Sequence, residues 1–116
     1  MNDAWKLRLA AIAFLGCGTA HGASVFQVSQ SGRMFHPGAL EIRTGDTVHI
    51  VNDDGELIHH AYVKSPSFNF DSGEEAPTSK LDIVFPVAGR FEVRCAIHPK
   101  MLLVVTVHPA ANGSSR

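Results

Sequence analysis

The segment Cys95-Ala96-Ile97-His98-Pro99-Lys100-Met101 holds a thiolate, an imidazole and a thioether at a spacing of three residues. Thiolate and thioether are soft donors that suit Cu(I), and imidazole serves both oxidation states of copper. Two imidazoles and a thiolate with a weak axial thioether make the electron-transfer copper geometry, so a second histidine is required. His59 and His60 supply it, just after the turn cluster Asn52-Asp53-Asp54-Gly55. Strand parity separates the two. His59 shares a face with the apolar Ala61 and Val63, whereas His60 shares one with Tyr62 and Lys64, and Lys64 belongs in water. The expected ligands of a single copper ion are therefore His59, Cys95, His98 and Met101. Zinc accepts Cys and His but rarely Met, so Met101 counts against it. His36, His49, His60 and His108 are expected to face solvent. Asp53, Asp54, Glu74 and Glu75 are expected to form a solvated rim that could tune partner choice.

These donors must be positioned by strands. Alternation of apolar and polar residues predicts strands over Ser24–Gln30, Ala39–Arg43, Thr47–Val51, His59–Lys64, Lys80–Phe85, Arg90–Cys95 and Met101–His108. Pro37-Gly38, Gly45-Asp46, the Asn52–Gly55 cluster and Pro86–Gly89 mark the turns between them. Ser65 to Thr78 reads as a long polar connection anchored by Phe68 and Phe70. With seven or eight short strands and no helical period, the expected fold is an all-β Greek-key sandwich. Parity places Cys95 on the core face with Phe91 and Val93. The chain then leaves the sheet through a short loop carrying His98 and re-enters at Met101.

The N-terminus reads as an export signal. Lys6 and Arg8 precede the apolar run Leu9–Leu15, and Ala20-His21-Gly22 offers small residues where a signal peptidase reads. The run is too short for a permanent membrane anchor. Phe14-Leu15-Gly16 makes a poor lipidation box before Cys17. The expected division is a signal peptide at 1–22, one domain at 23–109 and a small polar tail at 110–116. Cleavage after Gly22 removes Asp3, Lys6 and Arg8, which moves the net charge from −1 to −2. No basic surface for nucleic acid or anionic lipid is implied. Cys95 then stands as the single cysteine of an exported chain. It cannot form an internal disulfide, and metal ligation gives its thiol a task in an oxidising compartment. One cysteine also rules out a binuclear or multicopper centre.

The spacing Cys95-x-x-His98-x-x-Met101, with His59 upstream on a strand after a turn, resembles the type 1 copper proteins, the small cupredoxins of the amicyanin and plastocyanin kind that include methylamine-utilisation-like members. Gly45-Asp46-Thr47-Val48 is similar to the family's glycine turn before a core strand, and Ala88-Gly89-Arg90-Phe91 to its turn into the cysteine strand. The resemblance spans roughly residues 24–108. It implies a monomeric periplasmic carrier of single electrons. His98 would be the electron's way out. A redox partner, such as a c-type cytochrome or a periplasmic dehydrogenase, would dock on an apolar patch near Pro99 and Met101. The family has Asn directly after its first ligand histidine, and this chain has His60 there. A copper storage or delivery protein with the same ligands is the alternative reading. A Cys–His nucleophile pair can be drawn from Cys95 with His98 or His59. No acidic orienter or oxyanion loop stands out beside it, so enzymatic activity is not expected.

Overall fold

The structure is a computed structural model that describes residues 22–110. The expected signal peptide, apart from Gly22, and the tail beyond Ala110 lie outside the described residues, as does Cys17.

Nine strands form two facing sheets, and no helix occurs among the described residues. They are β1 (Val25–Gln30), β2 (Phe35–His36), β3 (Ala39–Arg43), β4 (Thr47–Asn52), β5 (Ala61–Lys64), β6 (Asn69–Asp71), β7 (Lys80–Val84), β8 (Gly89–Cys95) and β9 (Leu102–His108). One sheet has the order β2-β1-β4-β7 and the other β3-β9-β8-β5-β6. The pairs β1/β4 and β3/β9 are parallel, and the rest are antiparallel. Two more strands appear than the seven traced by pattern. β2 and β6 have only two and three residues, too few for alternation to register.

Alternation holds where it was expected. β4 and β9 bury every second residue along their length. The inward side chains of both sheets interleave as one core that includes Val48, Ile50, Ile83, Phe85, Val93, Leu103 and Val105. Phe68 leaves the polar connection to pack on Phe85 and Phe91, with ring centroids 5.3 and 5.8 Å away. Such offset aromatic contacts add about 0.5–1.5 kcal/mol each beyond area burial.

Gly89 opens β8 with φ +146°, and a Cβ there would lie 3.3 Å from the Phe91 ring. Gly89→Ala is therefore expected to destabilise the fold by about 1–3 kcal/mol through backbone strain. Chemical denaturation should show a lower midpoint with an unchanged slope. An unchanged midpoint would mean that the turn relaxes freely.

One boundary differs near the site. The strand expected to begin at His59 begins at Ala61. His59 instead makes an isolated antiparallel bridge to Glu75, donating to its carbonyl at 3.1 Å and accepting its N–H at 2.7 Å. The alternation continues across the break: His59, Ala61 and Val63 are buried, and His60, Tyr62 and Lys64 are not.

Candidate metal centre

The register of β5 on β8 sets Ala61 opposite Cys95. The two residues before Ala61 therefore lie beside the point where β8 ends. Cys95 completes the inward row of Phe91 and Val93 and is 1% exposed. Beyond it the chain turns tightly. The Ala96 N–H donates to the His60 carbonyl, and the Met101 N–H donates to the His98 carbonyl at 3.0 Å. The His98 N–H points at Cys95 Sγ, 3.4 Å away. The loop is thus pinned at both ends, and the His98 side chain folds back over the sulfur.

Three donor atoms converge. His59 Nδ1 and His98 Nδ1 each lie 3.8 Å from Cys95 Sγ and 3.2 Å from one another. The point in their plane about 2.0 Å from both nitrogens falls about 2.2 Å from the sulfur, close to the imidazole and thiolate bond lengths of a first-row metal ion. His59 Nε2 is engaged with Asp54 Oδ2 at 2.8 Å. A neutral His59 that donates there has a bare lone pair on Nδ1. Two imidazole nitrogens and a sulfur aimed at one point need a cation or a shared proton between them, so the donor set fits a metal. These three residues form the one group of this kind found among the described His, Cys, Asp and Glu side chains.

Burial holds the His98 pKa below its ordinary value, helped by charge at His59 and Arg33 and opposed by Asp54. The ring therefore stays neutral, with its lone pair available, further into acid than a free histidine. Desolvation pushes Asp54 upward. Its bonds from the Arg33 N–H, from His59 and from the Gly32 N–H together outweigh that, so its carboxyl lies below the usual value.

His60 points the other way. Its Nε2 sits 2.5 Å from Asp71 Oδ1 on the outer face of β5 and β6. Met101 is 1% exposed, at the return of the loop into β9. His49 and His108 are tied to surface carboxylates, Asp82 and Glu41, and His36 to the Ser31 carbonyl.

The expected solvated rim needs correction. Glu75 is 3% exposed. Its Oε2 accepts the Ala61 N–H at 2.8 Å and faces Gln30 Nε2 and Ser72 Oγ at 3.3 Å. Asp54 is half-buried beneath His59. Asn52, fully buried, organises the turn between them. Its amide donates to the carbonyls of Leu57 and Glu75, and its oxygen accepts the Asp54 N–H. Buried polar groups persist where partners are available, and backbone bends supply them here. Asp53 and Glu74 are exposed as expected. An acidic orienter does stand beside the Cys–His pair, since Asp54, His59 and Cys95 lie in line as in a nucleophile triad. Cys95, at the end of that line, is buried.

No protein-family profile matches the chain, and no curated protein matches it. Solved structures do. The chain is similar to a purple cupredoxin from Nitrosopumilus maritimus, at 24% identity and TM-score 0.62 over 71% of this chain and 98% of that one. It is similar to a reduced amicyanin variant, at 20% identity and TM-score 0.66 over 72% of this chain and 82% of that one. A copper-containing nitrite reductase from Thermus scotoductus SA-01 matches 86% of this chain at 28% identity and TM-score 0.65, but over only 26% of its own length. The chain has the cupredoxin fold, and its His59, Cys95 and His98 form a group that could hold one metal ion.

Proposed function

We propose that this chain is an exported carrier of single electrons that binds one copper ion through His59, Cys95, His98 and Met101. The observation that carries this reading is the convergence of two Nδ1 atoms and one Sγ within 3.8 Å of each other. Copper held there supplies a one-electron Cu(I)/Cu(II) couple.

The chain's own residues do the rest. Cys95 and His59 are held at the inner face of the sandwich, so water is kept from the sulfur. The strand ends and the pinned loop keep the donors in one arrangement, which lowers the reorganisation that electron transfer would otherwise cost. Met101 would supply a fourth, thioether donor; its N–H bond to the His98 carbonyl returns the chain at that point. His98 turns Nδ1 inward, so its opposite ring edge faces outward and offers the exit. Three of the exposed large apolar side chains, Met34, Ile58 and Ile97, belong to the loops that carry or brace the site. With Pro99 they are the proposed docking surface, for contacts that are small and weak as those of redox partners usually are. A c-type cytochrome or a periplasmic dehydrogenase has the chemistry to use it. The proposed working unit is residues 23–109, monomeric and periplasmic, released from a signal peptide at 1–22, with 110–116 as its tail. The nitrite reductase likeness covers about a quarter of that enzyme and lends this chain no reaction.

Titrating Cu(II) into purified protein tests the reading. One equivalent should bind and give an intense visible thiolate-to-copper band. His60→Ala should keep both, and His59→Ala should lose the band. A protein that stays colourless, or one in which His60 rather than His59 is needed, would overturn the assignment.

A further inference from the structure

Asp54 holds His59, and the structure shows what holds Asp54. Its two carboxylate oxygens accept two backbone N–H groups and meet one imidazole nitrogen. The Gly32 N–H donates to Oδ1 at 2.6 Å, the Arg33 N–H donates to Oδ2 at 3.0 Å, and His59 Nε2 meets the same Oδ2 at 2.8 Å. Gly32 and Arg33 are consecutive in the chain and both adopt positive φ, +63° and +56°. Successive N–H groups in such a bend point to one side and form a concave nest for an anion. Positive φ is uncommon for an arginine and persists only where surroundings enforce it. The loop is closed by a reciprocal pair of bonds between Ser31 and Met34, at 3.0 and 3.2 Å. It joins β1 to β2 in the sheet opposite the one that carries Cys95. Asp54 therefore links one sheet's hairpin loop to a donor residue lying against the other sheet.

We propose that the Ser31–Met34 loop is a clamp on the metal centre, fixing the tautomer and direction of the His59 ring through Asp54. Asp54 and Gly32 are positioning residues, since neither touches the metal point. A carboxylate locked in the nest keeps the proton of a neutral His59 on Nε2 and leaves Nδ1 bare. It also sets a fixed negative charge one imidazole away from the metal point, which favours the more positive oxidation state of a bound ion. The clamp rests on the reading of His59 as a copper ligand, but its effect on the ring does not need copper.

Nitrogen NMR of the His59 ring in metal-free protein is the first test. The protein should show the Nε2–H tautomer, and Asp54→Ala should give a mixture. Gly32→Val should do the same in part, because a β-branched residue resists positive φ. If Gly32→Val does not fold, Gly32→Ala serves, since a Cβ at Gly32 meets nothing within 4 Å. Asp54→Asn is the second test. It offers one oxygen where two backbone N–H groups and His59 Nε2 converge, and it removes the charge. With copper loaded, the Cu(I):Cu(II) ratio against a fixed redox mediator should rise about tenfold, equal to about 59 mV for one electron. A Gly32 variant that lowers the melting temperature but leaves the tautomer unchanged would make the loop a brace only and overturn the clamp. An unchanged mediator ratio in Asp54→Asn would also overturn it. If the unaltered protein binds no copper, the proposed function fails, while the NMR comparison still decides whether the clamp exists.

Discussion

Cys95→Ser is expected to erase the visible colour of the copper-loaded protein and to weaken copper binding by more than about 100-fold, since altering even the outer partners of metal ligands costs about 10–100-fold. The band in question requires a sulfur orbital that donates charge to the metal. A serine hydroxyl is a hard, protonated donor and supplies neither the orbital nor the softness. The substitution leaves the fold largely intact. Oγ is smaller than Sγ but can still accept the His98 N–H that now points at the sulfur. Metal-free variant and parent should therefore melt within a few degrees of one another. Their response to copper should differ sharply. A ligand present at about a thousand times its Kd adds about 4.1 kcal/mol of stability, and only the parent should gain it. Differential scanning calorimetry with and without one equivalent of Cu(II), read beside the visible spectrum, checks both halves. A variant that keeps its colour, or that gains as much stability from copper as the parent, would remove Cys95 from the site.

How far the site could be read from sequence depends on what each residue does there. Cys95, His59 and the core strands were legible because a half-buried strand writes its burial into its alternation. Parity alone separated the inward His59 from the outward His60, although His59 lies outside the regular strand. The bridge to Glu75 preserves the pleat that the sheet does not extend to. His98 was legible from its offset to Cys95, since a tight loop leaves few places for a third residue to point.

The polar scaffold was not legible. Glu75, Gln30 and Asn52 are buried polar side chains, and Asp54 is half-buried beneath the site. Charged and amide residues are mostly exposed in folded proteins, so polar stretches such as Asn52–Gly55 and Ser72–Thr78 read as surface. Their burial follows from partners distant in the chain: Gln30 with Glu75, and Gly32 and Arg33 with Asp54. No local period encodes such pairings. One signal was present. A turn rich in Asn and Asp directly before the proposed ligand His59 places carboxylates within reach of its second ring nitrogen, and metal-bound histidines usually find such an acceptor.

Glu75→Ala is expected to cost about 2–4 kcal/mol of folding stability, among the larger effects available to one side chain outside the apolar core. The Glu75 carboxylate is the partner that the Gln30 amide finds inside the fold, and Gln30 is fully buried. Removing the carboxylate strands that donor, and an orphaned buried polar group costs about 1–3 kcal/mol. The truncated side chain also leaves a void between the two sheets, which adds to the loss. The Ala61 N–H is spared, because it also reaches Ser72 Oγ at 3.0 Å. The main-chain bridge between His59 and Glu75 does not involve the side chain and should survive. The variant should therefore remain able to gather His59, Cys95 and His98 below its melting point. In a domain of this size each kcal/mol moves the melting temperature by about 4–8 °C, so a fall of roughly 8–32 °C is expected. Glu75→Gln should lose less than half as much, because its amide oxygen can still accept from Gln30 and Ala61. Thermal and urea unfolding of the three proteins, followed by copper titration at 15 °C, separates the possibilities. A loss below about 0.5 kcal/mol for Glu75→Ala, the range of ordinary surface changes, would mean that this carboxylate faces water after all. Loss of copper binding in a still-folded Glu75→Ala would mean instead that the side chain, and not the bridge, carries His59.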